Sequence, residues 1–200
     1  MKWLAVAGIL ISAPLHADEL ASKVSAKLTN GVLTNQGTVG GSTTTVGGVA
    51  LSYQKFLLPK FALGAGYRLD LDYSTGTVPL RGWDLLARYY VKGSGTRVTT
   101  VDEGVVSETT DNFSIYVGGD LSQRDYFLGG SPSADSSSTG STSLTGSFLT
   151  TSAVAGADFR LGPRWQAILE GSYGLQTFAA TDQRVSIHAA LISVGMSFLW

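Results

Sequence analysis

The segment 61–73 constrains this chain more than any other. Its odd positions (Phe61, Leu63, Ala65, Tyr67, Leu69, Leu71, Tyr73) are apolar or aromatic. Its even positions (Ala62, Gly64, Gly66, Arg68, Asp70, Asp72) are small or charged. That is period two, the spacing of a strand whose two faces meet different surroundings. A half-buried strand of a soluble protein alternates in this way over about five or six residues. A strand of this length, rising ~3.3 Å per residue at a tilt of ~40°, covers about 30 Å, enough to cross a membrane.

The same alternation returns in 82–91, 113–121, 149–160, 165–176 and 189–200, and more weakly in 23–28 and 48–53. The total is eight, an even number. After residue 17 no apolar run approaches the ~20 residues that a spanning helix needs. A chain that crosses lipid with strands must close them, because lipid leaves no backbone amide free to go unpaired. The sequence therefore predicts an all-β fold: an eight-stranded antiparallel up-and-down transmembrane β-barrel.

Composition narrows the function classes. Charged residues are 14% of the chain, against about a quarter in ordinary soluble domains. Zero Cys excludes disulfides, thiolate metal sites and cysteine nucleophiles. A net charge of −1 gives no ground for a nucleic-acid partner. Residues 1–17 read as a signal peptide: Lys2, the apolar run 3–11, then Leu15-His16-Ala17 ahead of cleavage. Residues 18–200 form the barrel domain in this reading.

The connections give the barrel an orientation. Short, Pro-containing 55–60 and 161–164 suit periplasmic turns, whereas 74–79 and 179–184 suit short outer loops. The Gly-, Ser- and Thr-rich 30–44 and 123–146 read as long extracellular loops. The stretch 93–111 is too long for a periplasmic turn. Arg97-Val98-Thr99-Thr100-Val101 and Val105-Val106-Ser107-Glu108 flank Asp102-Glu103-Gly104 as a hairpin would. Two further barrel strands are the alternative.

Alternation also selects a lumen face holding Lys27, Arg68, Asp70, Asp72, Asp84, Arg88, Asp120, Asp158, Arg160 and Glu170. The interior of an eight-stranded barrel is just wide enough for side chains to fill. Buried charges there must pair. Strands three and four are neighbours, so Arg68 and Asp70 are expected to pair with Asp84 and Arg88. The alternatives are a narrow path for ions along the same charges and an acid–base pair at Asp70 and Asp72. No metal-ligand cluster, cofactor motif or phosphate-binding loop is apparent.

The whole of 18–200 resembles the superfamily of small bacterial outer-membrane barrels, which includes OmpA-type transmembrane domains, OmpX- and Ail-type proteins and opacity proteins. The resemblance rests on the alternation and on the last strand, Ile192-Ser193-Val194-Gly195-Met196-Ser197-Phe198-Leu199-Trp200. It implies that Val194, Met196, Phe198 and Trp200 form the signal read by the barrel-assembly machinery. Trp200 stands where Phe is usual. It also implies an outer-membrane location among lipid and lipopolysaccharide.

His188 and Ser186 fall on the lipid-facing side near the outer rim. Lipid A deacylases of this membrane carry a His-x-Ser motif there; in Ser186-Ile187-His188 the order is reversed, and the triad is not carried over. The expectation is a non-enzymatic monomer with a structural or surface-interaction role. Loops 30–44 and 123–146 would present the contact surface to an unidentified extracellular partner. The alternatives are a narrow channel for ions or small apolar solutes and a lipid-modifying enzyme.

Overall fold

The computed structural model describes residues 21–36, 42–73, 80–93, 97–101, 104–108, 112–128, 144–162, 164–179 and 186–200. Residues 1–17, read as a signal peptide, lie outside them.

Ten strands follow in chain order: β1 Ser22–Gln36, β2 Ser42–Leu58, β3 Phe61–Asp72, β4 Leu80–Lys92, β5 Arg97–Val101, β6 Gly104–Glu108, β7 Phe113–Leu128, β8 Leu144–Arg160, β9 Trp165–Ala179 and β10 Ser186–Leu199. Eight close a barrel in the order β1-β10-β9-β8-β7-β4-β3-β2. Every pairing within it is antiparallel. Strands β5 and β6 make a separate two-stranded sheet. The hairpin expected in 93–111 is therefore present, and the two extra barrel strands are not.

The alternation has the consequence that the sequence predicts. Outward Leu28, Leu51, Trp83, Leu85 and Ile192 are exposed, while inward Lys23, Arg88, Asp158 and Glu170 are buried. In water this arrangement would be inside out. In lipid it satisfies both faces, with the backbone amides consumed by the closed ladder. Aromatic residues gather at both ends of the wall. Phe113 stacks on Phe159, and Trp165, Phe198 and Trp200 make a chain of ring contacts at the end where the described chain begins and finishes. Tyr67 meets Trp83 edge to face toward the far end.

Closure is staggered. A row of paired residues starting at Asn30 on β1 passes through Ile192, Gly171, Ala155, Val117, Tyr89 and Phe61. It reaches β2 at Leu58, whereas Asn30 itself pairs with Gly47 at the other side of the seam. A stagger of about ten residues over eight strands tilts the strands by roughly 40°.

Three expected boundaries are corrected. The loop 30–44 is mostly strand: β1 runs on to Gln36 and β2 begins at Ser42, leaving 37–41. The loop 123–146 shrinks to 129–143, because β7 continues to Leu128 and β8 starts at Leu144. The turn 55–60 reduces to Pro59 and Lys60. The cause is common to the two loops. Beyond the lipid both faces of a strand meet water, so the apolar alternation fades while the hydrogen-bond ladder continues.

Candidate functional site

The candidate site is the lumen. Among the described residues, five cations (Lys23, Lys27, Arg68, Arg88, Arg124) and five carboxylates (Asp70, Asp84, Asp120, Asp158, Glu170) are buried there. Their formal charges cancel. Charges removed from water are tolerated only when paired and hydrogen-bonded, and the pairing forms three layers.

At the terminal end, Lys23 Nζ donates to Asp158 Oδ2 at 2.6 Å, and the Tyr90 hydroxyl donates to the same oxygen at 3.0 Å. Around this layer an apolar cap packs into the lumen: Ala21, Phe56, Ala62, Tyr90, Tyr116, Val154 and Leu199 form one buried cluster. The rings of Phe56 and Tyr90 lie 5.2 Å apart, and those of Tyr90 and Tyr116 5.4 Å apart.

The middle layer is centred on Arg88, 1% exposed. Its guanidinium grips Asp120 through both terminal nitrogens and reaches Glu170 Oε2 at 3.2 Å. Two parallel N–H groups suit a carboxylate better than a lysine could. Glu170 also accepts from Lys27 Nζ at 2.5 Å and from the Tyr116 hydroxyl at 3.0 Å. Small partners make room for these large groups. Arg88 pairs across the ladder with Gly118, where an added Cβ would lie 2.9 Å from Arg88 Cδ. Tyr116 pairs with Gly156, where a Cβ would lie 2.5 Å from the phenol. Those glycines are needed for close approach.

Toward the far end, Arg124 pairs with Asp84, which also accepts from the Ser122 hydroxyl at 2.5 Å. Asp70 accepts from Thr29 Oγ1 at 3.0 Å. Arg68 Nε, buried without a hydrogen-bond partner among the described residues, belongs to a side chain lining a cavity of about 30 Å³ with Asp70, Ser122, Arg124 and Thr150. That is room for one or two water molecules and no more.

Most of the residues expected on the lumen face are buried there, and their hydrogen bonds run to other partners than the expected ones. The register sets Arg68 opposite Gly82, Asp84 opposite Gly66 and Arg88 opposite Ala62. Among the described residues no hydrogen bond joins Arg68 or Asp70 to Asp84 or Arg88, although the charge of Arg68 acts on Asp84 through space; Arg88 reaches β7 and β9, and Asp84 reaches β7. Arg160 sits half-buried at the terminal rim, its Nε donating to the Gly162 carbonyl at 3.2 Å, so it braces the β8–β9 turn. The side chain of Asp72 lies outside those described. Arg124 was missed because 123–146 read as loop. Lys23, Tyr90 and Tyr116 carried the signal of even spacing within their strands but no mark of their partners. On the outer wall, Tyr173 Oη and His188 Nδ1 are 3.1 Å apart. Among the described residues no group of three or more His, Cys, Asp or Glu side chains could hold a metal.

No family model matches the sequence, and no curated protein does. Solved structures do match. Neisserial surface protein A is 13% identical, with a TM-score of 0.58 over 90% of this chain and 99% of that one. The fold is that of a small outer-membrane β-barrel. The outer-membrane protein OprG of Pseudomonas aeruginosa is 8% identical over 92% of this chain and 97% of that one, with a TM-score of 0.53. The N-terminal barrel domain of OprF from the same organism is 14% identical, with a TM-score of 0.50 over 90% of this chain and 99% of that one. At these identities the likeness concerns architecture, and this barrel's role must come from its own residues.

Proposed function

We propose that this barrel is a non-conducting, non-enzymatic outer-membrane protein that anchors surface segments, with its terminal end toward the periplasm. One observation carries the reading: the lumen is filled by a charge-balanced ion-pair network and capped by Phe56, Tyr90 and Tyr116. A filled lumen leaves the outer segments as the parts able to meet a partner. These are the far-end extensions of β1, β2, β7 and β8 and the connections 37–41 and 129–143 that they carry. Against the lipid-modifying alternative, the carboxylates Asp70, Asp84, Asp120, Asp158 and Glu170 face the lumen, across the wall from His188. Lipid and lipopolysaccharide are its surroundings in this reading, and the barrel-assembly machinery, engaging Val194, Met196, Phe198 and Trp200, inserts it.

The chain has no native cysteine, so single substitutions report cleanly. In intact cells a membrane-impermeant maleimide should label Ser137→Cys and spare Lys60→Cys. Labelling of Lys60→Cys alone would reverse the orientation and remove the surface role.

A further inference from the structure

We propose that the terminal rim of the barrel selects anionic phospholipid, holding the headgroup phosphate with a belt of lysine and arginine. That the leaflet concerned is the periplasmic one rests on the orientation proposed above. The sequence repeats itself at this rim. Leu57-Leu58-Pro59-Lys60-Phe61 and Leu161-Gly162-Pro163-Arg164-Trp165 share one pattern: leucine, any residue, proline, cation, aromatic. The fold uses the two cations alike. The Lys60 carbonyl accepts from the Tyr90 N–H on β4 at 2.8 Å, and the Arg164 carbonyl accepts from the Leu199 N–H on β10 at 2.9 Å. Each bond runs to the strand beyond the turn's own pair. The backbone therefore pins each cation at the rim, and both residues are exposed.

Charge is divided unevenly between the two ends. Among the residues whose side chains are described, Lys55, Lys60, Arg81, Lys92, Arg160 and Arg164 are the cations that are not buried. All but Arg81 lie at the terminal end. The one carboxylate that is not buried, Asp125, lies at the far end, across the ladder from Arg81. Glu108 belongs to the separate β5–β6 sheet, opposite Arg97. Among the described residues the terminal rim thus presents five cations and no exposed carboxylate side chain.

The strand cations of this belt stand on the lipid side of the wall. Lys55 falls between buried Gln54 and Phe56, so it points outward. Lys92 pairs with outward Ile115, and its ammonium lies 3.9 Å from the centroid of the Phe113 ring. The ring holds that charge at the aromatic girdle without neutralising it. Long cationic side chains at this level reach phosphate while their stems stay against the acyl boundary. A zwitterionic headgroup offers a phosphate already offset by its own ammonium. An anionic headgroup offers one uncompensated, and near such a surface each lysine or arginine favours contact about fivefold.

The test is native mass spectrometry of the purified chain from micelles holding equal amounts of phosphatidylglycerol and phosphatidylcholine. The unmodified chain should retain the anionic lipid over the zwitterionic one by about fivefold or more. Lys60→Gln combined with Lys92→Gln and Arg164→Gln should bring the two lipids near parity. Arg81→Gln, at the far end, should keep the preference. Added salt should weaken it, because screening shortens the reach of exposed charges. Heat-modifiable gel migration of each variant confirms that the barrel has formed. Equal retention of the two lipids by the unmodified chain, a preference that the triple variant keeps, or an equal loss in Arg81→Gln would overturn the proposal. The measurement is indifferent to which end faces the periplasm, so its failure is distinct from a reversal of the maleimide labelling.

Discussion

Arg88 on β4 and Glu170 on β9 meet across the lumen at 3.2 Å, although 82 residues separate them in the chain. Arg88 simultaneously holds both carboxylate oxygens of Asp120 on β7. One side chain thereby ties three strands together through the barrel's interior.

Removing that side chain strands Asp120, whereas Glu170 keeps Lys27 and Tyr116. Breaking a buried pair by deleting one partner costs about 3–5 kcal/mol, because the other charge is left uncompensated. Arg88→Met should therefore destabilise the barrel by that amount in urea unfolding from lipid vesicles. Arg88→Met with Asp120→Leu should recover most of the loss. A double variant no more stable than the single one would mean that Asp120 is not held by Arg88.

The Tyr116 phenol lies on Gly156, and its hydroxyl donates to Glu170. Gly156→Val puts a branched side chain where the phenol now lies, and overpacking of this kind costs typically about 1–3 kcal/mol. The variant should lose that much stability and change its near-ultraviolet tyrosine signal. A wild-type spectrum with unchanged stability would show that the contact is loose.

Leu169 lies midway along β9 between Trp165 and Tyr173, which places it near the centre of the lipid. It is outward and half-exposed. Leu169→Arg should cost roughly 2–4 kcal/mol and reduce assembly. Leu161, 61% exposed in the β8–β9 turn, should accept arginine at almost no cost. Equal yields of heat-modifiable barrel from the two variants would contradict the inside–outside assignment.

The β5–β6 hairpin forms its own sheet outside the barrel. Replacing 94–111 by a short Asn-Gly turn should therefore leave barrel assembly intact, as judged by gel migration. A collapse of assembly would show that the hairpin takes part in closing β4 against β7.

The barrel was legible because period-two alternation is a direct imprint of lipid on one face and a polar interior on the other. Thus 61–73 and 189–200 disclosed both their strands and their faces. The far-end extensions of β1 and β7 were not legible, since water on both sides removes the contrast that marks a strand. Site membership follows from alternation, which puts Asp84, Arg88 and Glu170 on the inner face where they are buried. Their pairing did not follow, because stagger decides which layer each side chain joins. Stagger is a property of the closed ladder: it set Arg88 opposite Ala62 and sent its guanidinium to Asp120 and Glu170.

The lumen is filled by its own side chains, which should leave no path for ions. Single-channel recording of the purified chain in planar bilayers tests it most directly. The network of Lys27, Arg88, Asp120 and Glu170 above the Phe56–Tyr90–Tyr116 cap predicts no reproducible conductance at moderate voltage. Regular, repeatable conductance steps from the unmodified chain would contradict it.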